Sequence, residues 1–247
     1  MKAMIFAAGL GTRLRPLTNE IPKALVPVEG IPLLELAIRR IAAVGIREIV
    51  INVHHFAEKV IDFIQQNDQF GLKIHISDER DQILETGGGL LKAAPILGNT
   101  PFLVVNADIL SNLDFNKMIA AHQASKAIAT LAIRQRTTSR YLLFDAQYQL
   151  VGWENVKTGE QRISRASAEQ QQFAFSGMHV IDPQIFDLMP KQISKFSIID
   201  TYLEVAKTHK ILGYPHDDDL WLDVGKPDQL AKASGVYKQI FPSLESF

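Results

Sequence analysis

The stretch Lys2-Ala-Met-Ile-Phe-Ala-Ala-Gly9-Leu-Gly11-Thr12-Arg13-Leu-Arg15-Pro16, with Pro22-Lys23 and Val26-Pro27-Val28 shortly after it, decides how the chain is read. Ala3 to Ala8 carry no charge and suit a buried parallel strand, which places a strand over Lys2–Phe6. The strand ends abruptly at Gly9 and Gly11, which free the backbone for a sharp turn and let a ligand come close to main-chain N–H groups. Arg13, Arg15 and Lys23 then supply charge that phosphate oxygens can pair with. A strand end built this way is suited to a polyanion.

Bulk properties narrow the classes. The chain has 247 residues, enough for one large domain or two small ones, and 47% apolar residues, enough for a full core. Its net charge of −1 leaves no broad basic field for nucleic acid, so any phosphate site must be local. There is no cysteine, which excludes disulfides, zinc thiolates and thiol nucleophiles. Arg13 and Arg15 interrupt the apolar start well short of a signal or a membrane span. The expectation is a cytoplasmic protein with neither a nucleic-acid nor a membrane partner.

Outward from the first strand, strand and helix signals alternate. Leu34, Ala37, Ile38 and Ile41 keep helical spacing, and Pro32 can occupy the first turn. Strands are expected at Glu48–Val53, Lys73–Ser77, Phe102–Asn106 and Ala127–Ile133. Helices are expected around Ala57–Ile64, at Gly88–Ala94 (stopped by Pro95) and at Phe115–Ser125. This rhythm predicts an α/β fold, a Rossmann-like, mostly parallel sheet flanked by helices. After Arg134 the pattern changes. Tyr141–Phe144 and Leu150–Trp153 read as a hairpin, and Lys157–Gln170 as an exposed loop. Gln172–Ile181, Ile211–Tyr214 and Leu220–Leu222 read as strands, with a helix near Ile199–Ala206 and a closing helix at Pro227–Phe241. Residues 1–247 are thus expected to form a single domain with an inserted antiparallel, substrate-binding portion.

Three further clusters carry chemistry. In Glu85-Thr86-Gly87-Gly88-Gly89 the glycines would destabilise a helix head unless something needs close approach, a flat base or a sugar for instance, or a plain tight turn. Asp108 follows an apolar strand, at the carboxyl edge where open α/β sheets bind ligands; taken alone it could also cap the next segment. Asp223, in Trp221-Leu222-Asp223-Val224-Gly225-Lys226-Pro227, is a second carboxylate at a strand end. Two such carboxylates suit a hard cation with oxygen ligands, Mg²⁺ above all.

The opening pattern Ala7-Ala8-Gly9-x-Gly11-Thr12-Arg13-Leu14-x-Pro16-Leu17-Thr18, followed by Pro22-Lys23-x-Leu25-x-Pro27-Val28-x-Gly30-x-Pro32, resembles the sugar-1-phosphate nucleotidyltransferases, or nucleotide-sugar pyrophosphorylases. The resemblance implies that Arg13 faces the departing pyrophosphate, that Lys23 contacts phosphate and that Asp108 and Asp223 hold a catalytic Mg²⁺. It implies nucleotide contacts at Ala8, Gly9, Gly11, Thr12, Arg13, Lys23 and Gly88. Sugar-phosphate contacts would fall at Asn106, Glu154, Ser176 and Gly177. The substrates would be a nucleoside triphosphate and a sugar 1-phosphate, and the products an NDP-sugar and pyrophosphate. The spelling Glu-Thr-Gly-Gly-Gly resembles the branch containing N-acetylmuramate-1-phosphate uridylyltransferases and some mannose-1-phosphate guanylyltransferase relatives. UTP is therefore the expected donor and N-acetylmuramate 1-phosphate a candidate acceptor. Guanylyl transfer to mannose 1-phosphate and cytidylyl transfer to phosphocholine are the alternatives within the family. Three departures bear on the sugar: Asn155 stands where the family has lysine, Leu142 where it has glycine, and Phe175-Ser176-Gly177 where Asn-Ala-Gly is usual.

Outside that family, a nicotinamide-dependent oxidoreductase could use a Gly-x-Gly loop. It would want a glycine where Leu14 stands and an acidic ribose ligand near Asn52-Val53-His54. A non-catalytic nucleotide-sugar sensor would be expected to lack one of Arg13, Lys23, Asp108 and Asp223, and all four are present.

Overall fold

Ala3, Met4 and Ile5 are fully buried, as a strand covered on both faces requires. The computed structural model describes residues 1–192 and 194–241. Along the chain the elements are β1 (Lys2–Phe6), β2 (Pro27–Val28), β3 (Ile31–Pro32), α1 (Leu33–Ala43), β4 (Glu48–Val53), α2 (Ala57–Gln66), β5 (Lys73–Asp78), α3 (Glu85–Leu97), β6 (Phe102–Asn106), β7 (Ile109–Ser111), α4 (Phe115–Ser125), β8 (Ala129–Arg134), β9 (Arg140–Phe144), β10 (Leu150–Asn155), β11 (Glu160–Ile163), β12 (Gln171–Ile181), α5 (Ile185–Leu188), α6 (Ile198–Val205), β13 (Ile211–Pro215), β14 (Trp221–Asp223) and α7 (Pro227–Ile240). The fold is α/β. Among the described residues no helix is long and apolar enough to cross a membrane.

The chain divides into two compact units. The first holds Met1–Ile83, Val105–Leu113 and Asp218–Phe247; the second holds Leu84–Val104 and Asp114–Asp217. In the first unit β4 pairs in parallel with β1 and with β5, in the registers Phe6↔Asn52 and Val53↔Asp78. Two short antiparallel pairs, β2 with β3 and β7 with β14, stand apart from that sheet. They belong to a local core in which Leu14, Val26, Val28, Leu33, Leu110, Leu222, Val224 and Tyr237 pack together. The apolar face of α1 is also buried, and on its other side Glu35 and Arg39 make an i,i+4 ion pair at 2.6 Å.

In the second unit β8 lies between β12, antiparallel to it, and β13, parallel to it. The strands β12, β9, β10 and β11 pair successively as antiparallel neighbours. The β9–β10 turn forms because Asp145 accepts from the Gln147 and Gln149 amides at 3.0 and 2.8 Å. A bulge interrupts β12 between Phe175 and His179, and Gly177 within it takes a φ of +77°.

Two sequence expectations are corrected. Pro95 lies inside α3 rather than ending it, because its fixed φ is helical and only its own amide bond is forgone close to the helix end; Gly98, at φ +78°, closes the helix by donating to Ala94 at 3.1 Å. The segment Lys157–Gln170 is not all loop, since Glu160–Ile163 pairs with β10 as an exposed strand without an apolar face.

Buried in the second unit, His179 Nδ1 is hydrogen-bonded to the Tyr202 hydroxyl. Burial lowers the His179 pKa from 6.5 to about 3 and pushes that of Tyr202 up. Burial also lowers His122, which bonds Thr130 at 3.0 Å. A histidine held neutral in the fold takes up its proton only on unfolding. Its stabilising share is therefore complete above pH 6.5 and is lost as pH falls towards 3. Thermal unfolding followed from pH 7 to 4 should show the melting temperature declining, and His179→Phe should flatten that decline. An equal slope in both proteins would assign the acid sensitivity to other groups.

Candidate active site

The loop after β1 is shaped by its two glycines in different ways. Gly9 is exposed, and a Cβ added there would meet nothing within 4 Å, so the space beside its Cα is open. Gly11 has a φ of +64°, and a Cβ there would lie 2.9 Å from Thr18 Cγ2 and 3.0 Å from Lys23 Cβ. Its carbonyl accepts from the Leu14 amide at 2.9 Å and from the Thr18 hydroxyl at 2.7 Å. Gly11 thus serves close packing, which draws the stem of Lys23 against the loop. Pro22 leads into a single turn at Lys23–Leu25, closed by the Val26 amide donating to Lys23 at 3.1 Å.

Both carboxylates are set by the β7–β14 pair. Asp223 stands opposite Ile109, and the Val224 amide donates to the Asp108 carbonyl at 2.9 Å. The aspartates are therefore neighbours, although 115 positions separate them in sequence. Strand alternation does the aiming: Leu222 and Val224 point into the local core, so Asp223 between them points away from it. The Lys23 ammonium forms an ion pair with Asp108 in a setting where the two side chains are only 14% and 18% exposed.

The convergence is sharpest at Gly225, a position whose role sequence reasoning missed. A Cβ at Gly225 would lie 2.6 Å from Asp223 Oδ1, 2.8 Å from Arg13 Nη2 and 3.2 Å from Lys23 Nζ. Three charged groups thus meet around one residue that has no side chain, and Asp108 joins them through its ion pair with Lys23. The spelling Asp223-Val-Gly225 gave the only signal, a glycine two residues beyond a strand-end carboxylate.

Ala8, Gly9, Gly11, Thr12, Arg13, Lys23, Asn106, Asp108 and Asp223 all belong to the first unit. Ala8 is buried, Thr12 and Arg13 are exposed, and Asn106 is half-buried at the end of β6. Gly88, Glu154, Ser176 and Gly177 belong to the second unit. There the glycine triplet turns out to have an occupant of its own. The amides of Gly87 and Gly88 donate to the Phe196 carbonyl at 2.9 and 3.3 Å. A Cβ on Gly87 would collide with the Phe196 ring, and one on Gly88 with the Ser194 carbonyl. The close approach expected of a base or sugar is made at these two positions by the chain itself. Ser176 is fully buried, and its hydroxyl bonds His216 Nε2 at 2.7 Å, which engages the side chain expected to contact a sugar. Glu154 accepts from the Gln172 side-chain amide.

A sequence family described as nucleotidyl transferase matches residues 2–240. The chain belongs to that family. This nucleotidyltransferase is 32% identical over 238 residues to the N-acetylmuramate alpha-1-phosphate uridylyltransferase of Caulobacter vibrioides, covering 91% of this chain and 92% of that protein. It is also 32% identical over 242 residues to the enzyme of the same name from Neisseria meningitidis serogroup B, with 96% and 98% covered. Among solved structures, the inositol-1-phosphate CTP transferase of T. maritima shares its fold with a TM-score of 0.79 at 15% identity, covering 99% of this chain and 98% of that one.

Two glycine substitutions should separate site from scaffold in this nucleotidyltransferase. Gly225→Ala meets mobile ends of side chains, so it should keep the melting temperature within a few degrees while displacing Arg13, Lys23 and Asp223 and removing most activity. Gly88→Ala meets the Ser194 main chain and Leu84 Cβ instead, and should cost about 1–3 kcal/mol of stability, as overpacking does. Thermal unfolding and turnover measured on both variants check this; a fully active Gly225→Ala would contradict it.

Proposed function

We propose that the chain transfers a uridylyl group from UTP to a sugar 1-phosphate, releasing pyrophosphate, with N-acetylmuramate 1-phosphate as the first acceptor to try. The observation that carries this reading is the gathering of Arg13, Lys23 and Asp223 about Gly225, with Lys23 paired to Asp108. The two uridylyltransferase relatives, alike along nearly their whole length, support the choice of donor and acceptor. We take residues 1–247 as one catalytic domain, which the family match running through residues 2–240 supports, and place its work in the cytoplasm.

The acceptor needs no general base. A phosphate monoester has a second pKa near ~6 and is mostly dianionic at neutral pH. The fold agrees with this economy, since the Ser176–His216 pair is closed off from solvent and offers no activated nucleophile. The difficulty is repulsion. At ~4 Å each like-charge pair costs about 1 kcal/mol in water and more in a dry cleft. Arg13, whose guanidinium is always charged and forked, would take oxygens of the departing pyrophosphate. Lys23 would leave Asp108 for the incoming phosphates, exchanging one anion for another without ever being buried unpaired. The amides at Ala8 and Gly9 would point donors at the same phosphates.

Asp108 and Asp223 fit Mg²⁺ in kind and number: hard carboxylate oxygens, two of them, for an ion that usually takes one or two carboxylates and keeps waters and phosphate oxygens as its other ligands. When bound, Mg²⁺ would supply charge neutralisation and a fixed arrangement of phosphate oxygens. In the second unit, Glu154 and Gly177 are the residues proposed to read the sugar, and Gly88 keeps only a main-chain role towards the nucleotide.

The test is pyrophosphate release over the four nucleoside triphosphates crossed with several sugar 1-phosphates, mannose 1-phosphate and N-acetylmuramate 1-phosphate among them, and with phosphocholine. UTP with N-acetylmuramate 1-phosphate should be fastest, and no release with any pair would end the proposal. Arg13→Ala should lower kcat by about 10²-fold, in line with losing one preorganised donor to developing charge. Asp223→Asn should shift the Mg²⁺ requirement upward.

A further inference from the structure

Asn52 and Glu79 are polar, buried to 3% and 1% exposure, and not part of the charged cluster. They sit at the carboxyl ends of β4 and β5, next to the end of β1. Asn52 Oδ1 accepts from the Ala7 amide at 2.7 Å, and Asn52 Nδ2 donates to Glu79 Oε1 at 2.7 Å. Glu79 is itself tied down, its amide donating to the Val53 carbonyl at 2.8 Å and its carbonyl lying 2.7 Å from His54 Nδ1. The order of groups is fixed. A backbone N–H requires an oxygen and a carboxylate requires a donor, so the Asn52 amide has one orientation that satisfies both. A buried carboxylate is costly unless it is hydrogen-bonded, and a buried hydrogen-bonded chain of this kind holds its members in one geometry.

What it holds is the root of the loop. Ala7 is the first residue after β1 and stands two before Gly9, and its neighbour Phe6 accepts from the Ala107 amide at 3.1 Å. We infer that Asn52 and Glu79 are positioning residues for the triphosphate loop: Glu79 orients the Asn52 amide, and Asn52 fixes the Ala7 amide. The direction in which the Ala8 and Gly9 amides face follows from that. The inference rests on the reading of this loop as the triphosphate site. It gives a function to two residues that touch no reacting atom.

Charge reversal along the chain supplies the test. Asn52→Asp sets a second carboxylate against Glu79, and two carboxylates at hydrogen-bond distance cannot both stay ionised. Glu79→Gln alone keeps an acceptor for Asn52 Nδ2. The double variant Asn52→Asp/Glu79→Gln rebuilds both bonds, since a carboxylate can accept from Ala7 and from the new side-chain amide together. Calorimetric titration of each protein with UTP in Mg²⁺, and with inorganic tripolyphosphate, is the measurement, beside KM for the sugar 1-phosphate. Asn52→Asp should weaken both phosphate ligands about tenfold or more, the scale of one lost buried hydrogen bond. Glu79→Gln and the double variant should bind within about threefold of wild type, and the sugar 1-phosphate KM should hardly move in any of them. Equal UTP affinity in wild type and a folded Asn52→Asp would overturn the inference. Should Asn52→Asp not fold, the double variant decides: folded and binding UTP, it upholds the pairing; unfolded, or folded without binding, it overturns it. A wild-type protein that binds no triphosphate would remove the functional reading and this one with it, whereas loss of discrimination among the variants removes this one alone.

Discussion

The ion pair between Lys23 and Asp108 is the interaction around which the candidate site is organised. Asp108 and Asp223 are brought close by β7 and β14, and two neighbouring carboxylates in a partly dry setting repel one another. Lys23 relieves that repulsion, with Arg13 beside Asp223 as the second cation. Two anions and two cations leave the cluster near neutrality, so it needs no ligand in order to fold. Under the proposed function, the same arrangement would receive a polyphosphate with a divalent ion. The cations would meet the phosphates and the carboxylates the metal.

The geometry of the pair comes from small residues and a local core rather than from the charges. Gly11 lets the Lys23 stem lie against the loop, and Gly225 leaves room for three charged side-chain ends. Leu14, Val26, Leu110, Leu222 and Val224 lie within three residues of Arg13, Lys23, Asp108 or Asp223 in sequence and pack into one cluster. Each charged residue therefore has an anchor within three positions. Burial holds the anchors, and the intervening side chains are turned towards each other by strand alternation and single turns. Deeper in the same unit, Asn52 and Glu79 pin the amide from which the loop departs.

Much of this was legible beforehand. The unbroken apolar run of β1, the branched residues of Glu48–Val53 and the helical spacing in Phe115–Ser125 each marked an element with the bounds the structure gives. That Arg13, Lys23, Asp108 and Asp223 would come together was legible too, because carboxylates and cations at the ends of apolar runs have few structural uses. What stayed hidden depended on tertiary neighbours. The triplet Gly87–Gly89 announced a close approach but not by what, and at Gly87 and Gly88 it was Phe196 and Ser194, over a hundred residues away. Ser176 lay in a recognisable segment, yet its partner His216 could not be read from either sequence neighbourhood. The strand Glu160–Ile163 shows no alternation because it is exposed throughout and is held by backbone pairing, with an ion pair from Arg162 to Asp200. Asn52 gave no sign either, since an asparagine at a strand end is ordinarily a turn residue.

Divalent-cation binding in the absence of turnover tests the central claim most directly. Mn²⁺ would be titrated into wild type and Lys23→Gln, with and without a non-hydrolysable UTP analogue, and free Mn²⁺ read by electron paramagnetic resonance. If Lys23 stands in for the cation at Asp108, wild type should bind Mn²⁺ weakly alone and much more tightly with the nucleotide. Lys23→Gln should bind Mn²⁺ more tightly than wild type when no nucleotide is present, and should gain less from adding it. Identical Mn²⁺ affinities in the two proteins under both conditions would contradict the account.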